Sequence, residues 1–142
     1  MYLEGTVLVG PDFEPVEGRV VVADGEIVGV EEASVGSDDV ILPAFVNAHT
    51  HVGDSIAKEA GAGLSLDELV APPDGLKHRL LRAADREALV AAMARTLRYM
   101  ESTGTGTFLE FREGGVDGVA ALRDALAGAG VELGERAIDA VV

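Results

Sequence analysis

Residues Val40 to Asn47, VILPAFVN, are almost unbroken in apolar side chains. A run this short and uniform suits a strand covered on both faces, as in a parallel sheet flanked by helices. That reading constrains the fold strongly, because parallel strands are joined only through a crossover, usually a helix. The downstream sequence supplies one. Asp85 to Ser102 has a capping residue at its start, Glu87 in the first turn, and Leu89, Met93, Leu97 and Met100 at helical spacing. Gly104 can end it, Thr105 to Phe111 reads as a strand, and Asp117 to Ala129 reads as a second helix. Val119, Leu122 and Leu126 mark the buried side of that second helix, and Gly130 lies past its end. The order strand, helix, strand, helix predicts an α/β fold with a parallel sheet.

Upstream the pattern is all-β. Thr6 to Val9 is a short apolar strand closed by Gly10-Pro11-Asp12. Arg19 to Ala23 and Glu26 to Val30 flank Asp24-Gly25, a strong hairpin signal. Glu31 to Asp39 is polar and reads as loop. The predicted division is therefore a β segment over residues 1–42 and an α/β segment over 43–142. Between residues 53 and 84, Gly61, Gly63 and Pro72-Pro73 interrupt any long element, and Leu64, Leu66 and Leu69 suggest one short helix. Long loops inside compact domains often carry function. Val131 to Val142 reads as a further strand or a frayed tail.

The chain carries 25 acidic residues against 11 basic ones, a net charge of -14. Such a surface cannot neutralise phosphates, which argues against nucleic acid and against anionic membranes. Lys58 and Lys77 are the only lysines. Dense acid with few lysines fits a protein of a halophilic cytoplasm, where salt screens the self-repulsion. An ordinary acidic protein is the plainer reading. There are no cysteines, so disulfides and thiolate metal sites are excluded. No apolar run approaches the ~18 residues of a membrane span, and the first residues lack a signal-peptide pattern, so a soluble cytoplasmic protein is expected.

The apolar run leads directly into Ala48-His49-Thr50-His51. On a strand, residues i and i+2 share a face, so two imidazoles would stand side by side. Neutral imidazole is a good ligand for zinc and related ions, and active sites gather at the C-terminal ends of strands in such sheets. The stretch Leu42 to His51, LPAFVNAHTH, resembles the first barrel strand of the amidohydrolase superfamily, whose pattern is Pro-Gly-Phe-(Val/Ile)-(Asp/Asn)-x-His-x-His. Ala44 stands where that family usually has glycine.

The resemblance implies a truncated TIM barrel of the amidohydrolase type, preceded by a small β-sandwich element. It implies His49 and His51 as metal ligands, with zinc as the expected divalent ion. The metal would act as Lewis acid and lower the pKa of its water. In the family a carboxylate from the last strand takes the water's proton. Substrates are small molecules, typically cyclic amides, ureas or aminated heterocycles. The reaction expected is hydrolysis of a non-peptide C–N bond, by cyclic-amide opening or ring deamination.

The family's later histidines and late aspartate have no counterpart here, and the remaining histidine, His78, is in the wrong place. A full barrel needs eight βα units and typically ~250 residues. The expectation is that the chain alone is inactive or nearly so. The rival is a non-catalytic remnant, or one piece of a split protein that works with a complementing fragment. Self-association is a further expectation, because open sheet edges invite it. A third reading is a small β module whose His-x-His is incidental.

Lesser candidates for contact with substrate are Asp54 beside the motif, Lys77 and His78 in the one basic cluster, and Glu110 and Arg112 at the end of the second predicted strand. Loop capping competes for Asp54, a solvated helix start for Lys77 and His78, and a structural ion pair for Glu110 and Arg112.

If the acidic composition is a salt adaptation, the midpoint of thermal unfolding rises between low and molar KCl. An equal midpoint in both rejects the halophilic reading.

Overall fold

The structure is a computed structural model that describes residues 1–131. The segment 132–142, most of the tail read above as strand or frayed end, lies outside the described residues. The chain divides into two compact units, one ending at Pro43 and one beginning at Ala44.

The first unit is a single four-stranded sheet in the order β3-β2-β1-β4. Its strands are β1 (Tyr2–Val9), β2 (Glu14–Ala23), β3 (Glu26–Glu32) and β4 (Val40–Ile41). β1 and β2 pair antiparallel from Tyr2 opposite Val21 to Val9 opposite Glu14. β2 and β3 form the expected hairpin. Its turn places Asp24 at φ 52° and Gly25 at φ 82°, the two left-handed positions that a tight two-residue turn of this hand requires. Val7 and Val20 are the buried apolar side chains of this sheet.

The second unit begins with β5 (Phe45–Thr50), followed by a short 3-10 helix (Val52–Ala57), α1 (Leu66–Val70) and α2 (Leu76–Ala83). Then come α3 (Arg86–Ser102), β6 (Thr105–Glu110) and α4 (Gly115–Ala129). β5 and β6 pair in parallel, with Asn47 opposite Phe108 and Thr50 opposite Glu110. The Asp85 side chain caps α3 by accepting from the Ala88 amide at 3.1 Å. α1 opens with a capping box between Ser65 and Glu68. The core lies among α3, α4, β6 and the 3-10 helix, where Met93, Leu97, Phe108, Leu122, Ala125 and Val52 are buried together.

Two expectations are corrected. The run Val40 to Asn47 is not one strand. Its first residues pair with β1 in parallel, Thr6 opposite Val40, while Phe45 starts a strand of the other unit. Pro43 carries no amide hydrogen and cannot continue a ladder. Nor is β5 covered on both faces: Phe45 is 56% and Val46 68% exposed. Among the described residues β5 has a hydrogen-bonded neighbour on one edge only, β6. The stretch 53–84 also holds more structure than one short helix, with α2 and most of the 3-10 helix added to α1.

Leu97 is fully buried in the core. Leu97→Ala is expected to lower stability by about 2–5 kcal/mol, read from urea unfolding, because the removed methyls leave a cavity. A loss under about 1 kcal/mol would mean that the α3–α4 core does not hold this unit together.

Candidate functional site

β5 carries His49 and His51 to its C-terminal end on one face. Their Nε2 atoms lie 3.3 Å apart. Beside them, the Phe111 ring stands with its centroid 4.6 Å from that of His49 and 5.8 Å from that of His51. Phe111 reaches this position because its amide donates to the Thr50 carbonyl at 2.9 Å, extending the β5–β6 pairing by one bond. Apolar contact on one flank limits the rotation of both imidazoles.

Under this surface sits a buried charge pair. Glu110 is 2% and Arg112 5% exposed, and Arg112 Nη1 donates to Glu110 Oε1 at 3.2 Å. The other carboxylate oxygen, Oε2, accepts from the Thr50 hydroxyl at 2.7 Å and from the Val52 amide at 2.9 Å. Glu110 thus holds the Thr50 side chain before His51 and the Val52 backbone after it. Burial raises its carboxyl above the ordinary carboxylate range, opposed by the Thr50 hydroxyl, the Val52 amide and the charge of Arg112. The Arg112 guanidinium lies against Gly53, where an added Cβ would fall 1.6 Å from Nη1. Its Nε donates to the Glu113 carbonyl at 3.1 Å, and Nη2 lies 3.1 Å from Glu113 Oε2.

On the far side of His51, Lys77 reaches in from α2. Its ammonium pairs with Glu113 Oε1 and, at 2.9 Å, with Asp54 Oδ2, and stands 3.5 Å from His51 Nδ1. Glu113 Oε1 is itself 3.5 Å from His51 Nδ1. Burial works against the charge on Lys77, but the hydrogen bonds to Glu113 and Asp54 outweigh it and hold the amine above its ordinary value. Glu113 is also penalised by burial. Lys77 and Arg112 overcome that penalty and bring its carboxyl below its ordinary value. His51, Asp54 and Glu113 offer ligand atoms within 4.8 Å of one another. Among the described residues, Asp54 Oδ1, Ser55 Oγ and Glu113 Oε2 are buried without a hydrogen-bond partner, Oε2 having only the ion pair with Arg112. A cavity of ≈ 460 Å³ opens alongside, lined by Ile56, Leu69, Leu80 and Leu81 with Asp54 and Lys77 at its polar part.

The sequence candidates therefore separate into three groups. His49 and His51 converge, and Asp54 and Lys77 join them. Glu110 and Arg112 lie buried beneath, their polar atoms engaged by protein groups. His78 turns to the Val70 carbonyl, 3.0 Å away, outside this cluster. Glu113 and Phe111 were not anticipated. Strand alternation holds the signal for Phe111, since it falls on the opposite face from Glu110 and Arg112. Glu113 lies past the strand end, where alternation stops.

The amidohydrolase family model matches residues 40–138, and the chain belongs to that family. A protein of Methanothermobacter thermautotrophicus named "Putative aminohydrolase" is 39% identical over 129 residues, covering 86% of this chain and 34% of the relative. An uncharacterized protein of Methanocaldococcus jannaschii is 36% identical over 131 residues, covering 89% of this chain and 34% of that protein. The chain thus spans about a third of the length of these curated relatives. The crystal structure of an amidohydrolase aligns at 16% identity with a TM-score of 0.48, covering 87% of this chain and 28% of the other.

Breaking a buried ion pair by removing one partner leaves a charge without compensation. Arg112→Met is expected to lower stability by about 3–5 kcal/mol in urea unfolding. Adding Glu110→Gln to the same chain is expected to recover part of that loss. No recovery in the double variant would show that the two side chains do not act as a pair.

Proposed function

We propose that this chain forms the first part of the catalytic unit of a metal-dependent hydrolase acting on non-peptide C–N bonds of small molecules, by cyclic-amide opening or ring deamination. In this reading β5 and β6 are the first two strands of a TIM barrel, and the four-stranded sheet contributes to a small β-sandwich element that precedes it in sequence. His49 and His51 are metal ligands, and zinc is the ion of choice.

The observation that carries the reading is the Nε2–Nε2 separation of 3.3 Å. A tetrahedral zinc site with Zn–N bonds of about 2.05 Å has ligand–ligand edges of about 3.3 Å. The two ring nitrogens thus stand at the spacing that one ion requires, at a strand end, and the donor set fits. A bound zinc would supply Lewis acidity and hydroxide near neutral pH. What the chain's own residues do is separate from that. Phe111 covers one flank of the imidazoles with its ring. Glu110 holds the backbone that carries His51. Asp54, Lys58, Glu59 and Lys77 give the adjoining cavity its polar edge, and Ile56, Leu69, Leu80 and Leu81 give it apolar surface suited to a ring.

Two imidazoles are fewer than the three protein ligands of catalytic zinc sites. Turnover therefore needs ligands and an acid–base carboxylate beyond these two, in line with the relatives' greater length. The exposed Phe45 and Val46 favour a related reading, in which β5 pairs with a further strand, from the same polypeptide or from a complementing fragment.

Titration of the chain with zinc chloride, followed through the histidine side-chain signals, tests the assignment. Wild type is expected to bind one equivalent, weakly, and either His49→Ala or His51→Ala to abolish binding. Unchanged binding in both variants would overturn it.

A further inference from the structure

Lys77 places its ammonium among three acceptors. It pairs with Glu113 Oε1, lies 2.9 Å from Asp54 Oδ2 and stands 3.5 Å from His51 Nδ1. An ammonium has three protons to give and no lone pair, so three acceptors satisfy it and none of these contacts can run the other way. The lysine side chain is only 13% exposed, and it reaches the ring from α2. At His51, then, Nδ1 is the accepting nitrogen, while Nε2 faces His49.

We infer that Lys77 competes with the metal for His51: its ammonium holds the lone pair on Nδ1, keeps the ring's proton on Nε2 where the ion would bind, and must release the ring when the ion arrives. The inference rests on the metal-ligand reading of the two histidines and adds to it a residue that opposes the ion.

The ground is a count of lone pairs. A neutral imidazole has one ring nitrogen with a lone pair and one with a proton. With Lys77 donating to Nδ1, the proton sits on Nε2. There it meets His49 Nε2, 3.3 Å away, whose lone pair accepts it. The place of the ion, between the two Nε2 atoms, is therefore closed by a proton in the metal-free protein. For His51 to ligate through Nε2 that proton must leave, and Nδ1 can take it only when the ammonium no longer donates there. Asp54 and Glu113 give the lysine somewhere to stay, so it can drop the ring and keep both carboxylates. The ring contact is the longest of the three and the first to yield. Glu113 stays in place without it, because Arg112 Nη2 lies 3.1 Å from Oε2. The outer partner of a metal-bound histidine usually accepts from the ring and strengthens the ligand. A cation in that position does the reverse, since its charge also repels an ion at the other nitrogen.

The test uses the full 142-residue chain at about pH 8, above the imidazole titration range, with zinc chloride as the probe. Long-range proton–nitrogen spectra of the metal-free wild type are expected to show His51 protonated on Nε2, and saturation with zinc to move that proton to Nδ1. Lys77→Met removes the competing charge and is expected to tighten zinc binding by about tenfold, the low end of what an outer partner of a ligating histidine is worth. Lys77→Arg keeps the charge and is expected to bind no tighter than wild type. Arg79→Met removes the same charge from an exposed position of α2 and is expected to match wild type, which separates the ring contact from net charge. If Lys77→Met does not fold, the wild-type spectra still decide. His51 protonated on Nδ1 in the metal-free wild type, zinc affinity unchanged in Lys77→Met, or an equal gain in Arg79→Met overturns the inference and leaves the metal-ligand reading standing. No zinc binding by either wild type or Lys77→Met overturns both.

Discussion

The buried carboxylate of Glu110 joins the ends of the two parallel strands. Backbone hydrogen bonds alone leave a strand end free to fray, and the β5–β6 register is already irregular between Asn47 and Thr50. Glu110 replaces the lost regularity with the Thr50 hydroxyl at the end of the other strand and the Val52 amide at the start of the 3-10 helix. Its charge must then be met inside the protein, and Arg112 meets it. Arg112 in turn fixes Glu113, and Glu113 faces His51. A short chain of charges therefore runs from the buried strand end to the exposed imidazoles.

Opposite charges alternate along this chain of residues. Two carboxylates, Asp54 and Glu113, approach His51, and two cations, Lys77 and Arg112, stand among them. Lys77 comes from a helix far along the chain. Its arrival makes the segment between β5 and α3 part of the site instead of a simple connection. The same lysine borders the apolar cavity, so the polar cluster and the cavity share a wall.

Much of this was legible before any coordinates. α3 and α4 have regular apolar spacing and a glycine past their ends, and α3 has a capping aspartate as well, so local pattern suffices there. The hairpin turn at Asp24-Gly25 is equally local. The His-x-His pair followed from the two-residue period of a strand. Glu110 and Arg112 were visible as neighbours on one face, though their depth was not, because depth depends on what packs above them. The Val40 to Asn47 run misled, since apolar content reports what a segment can bury and says nothing of which sheet it joins. α2 was seen only as a solvated helix start at Lys77 and His78, because Pro72-Pro73-Asp74-Gly75 just before it gives no apolar spacing from which to draw the helix on to Ala83. The meeting of Lys77 with Glu113 depends on tertiary approach, which no local spacing records. Ala44, out of line with its family's usual glycine, is accommodated by Gly106 across the ladder, where a side chain would collide with its methyl.

The contact of Arg112 with Gly53 has a consequence for how such sequences can vary. The guanidinium fills the volume that any larger residue at 53 would claim, and Glu110 and Glu113 leave it nowhere else to go. The two positions are locked together despite their separation along the chain. A relative that carries a bulkier residue after the second histidine and its neighbour must also have shortened or re-routed the arginine. The pair is then a marker, readable in any alignment, for members that tie their first two strands together in this way.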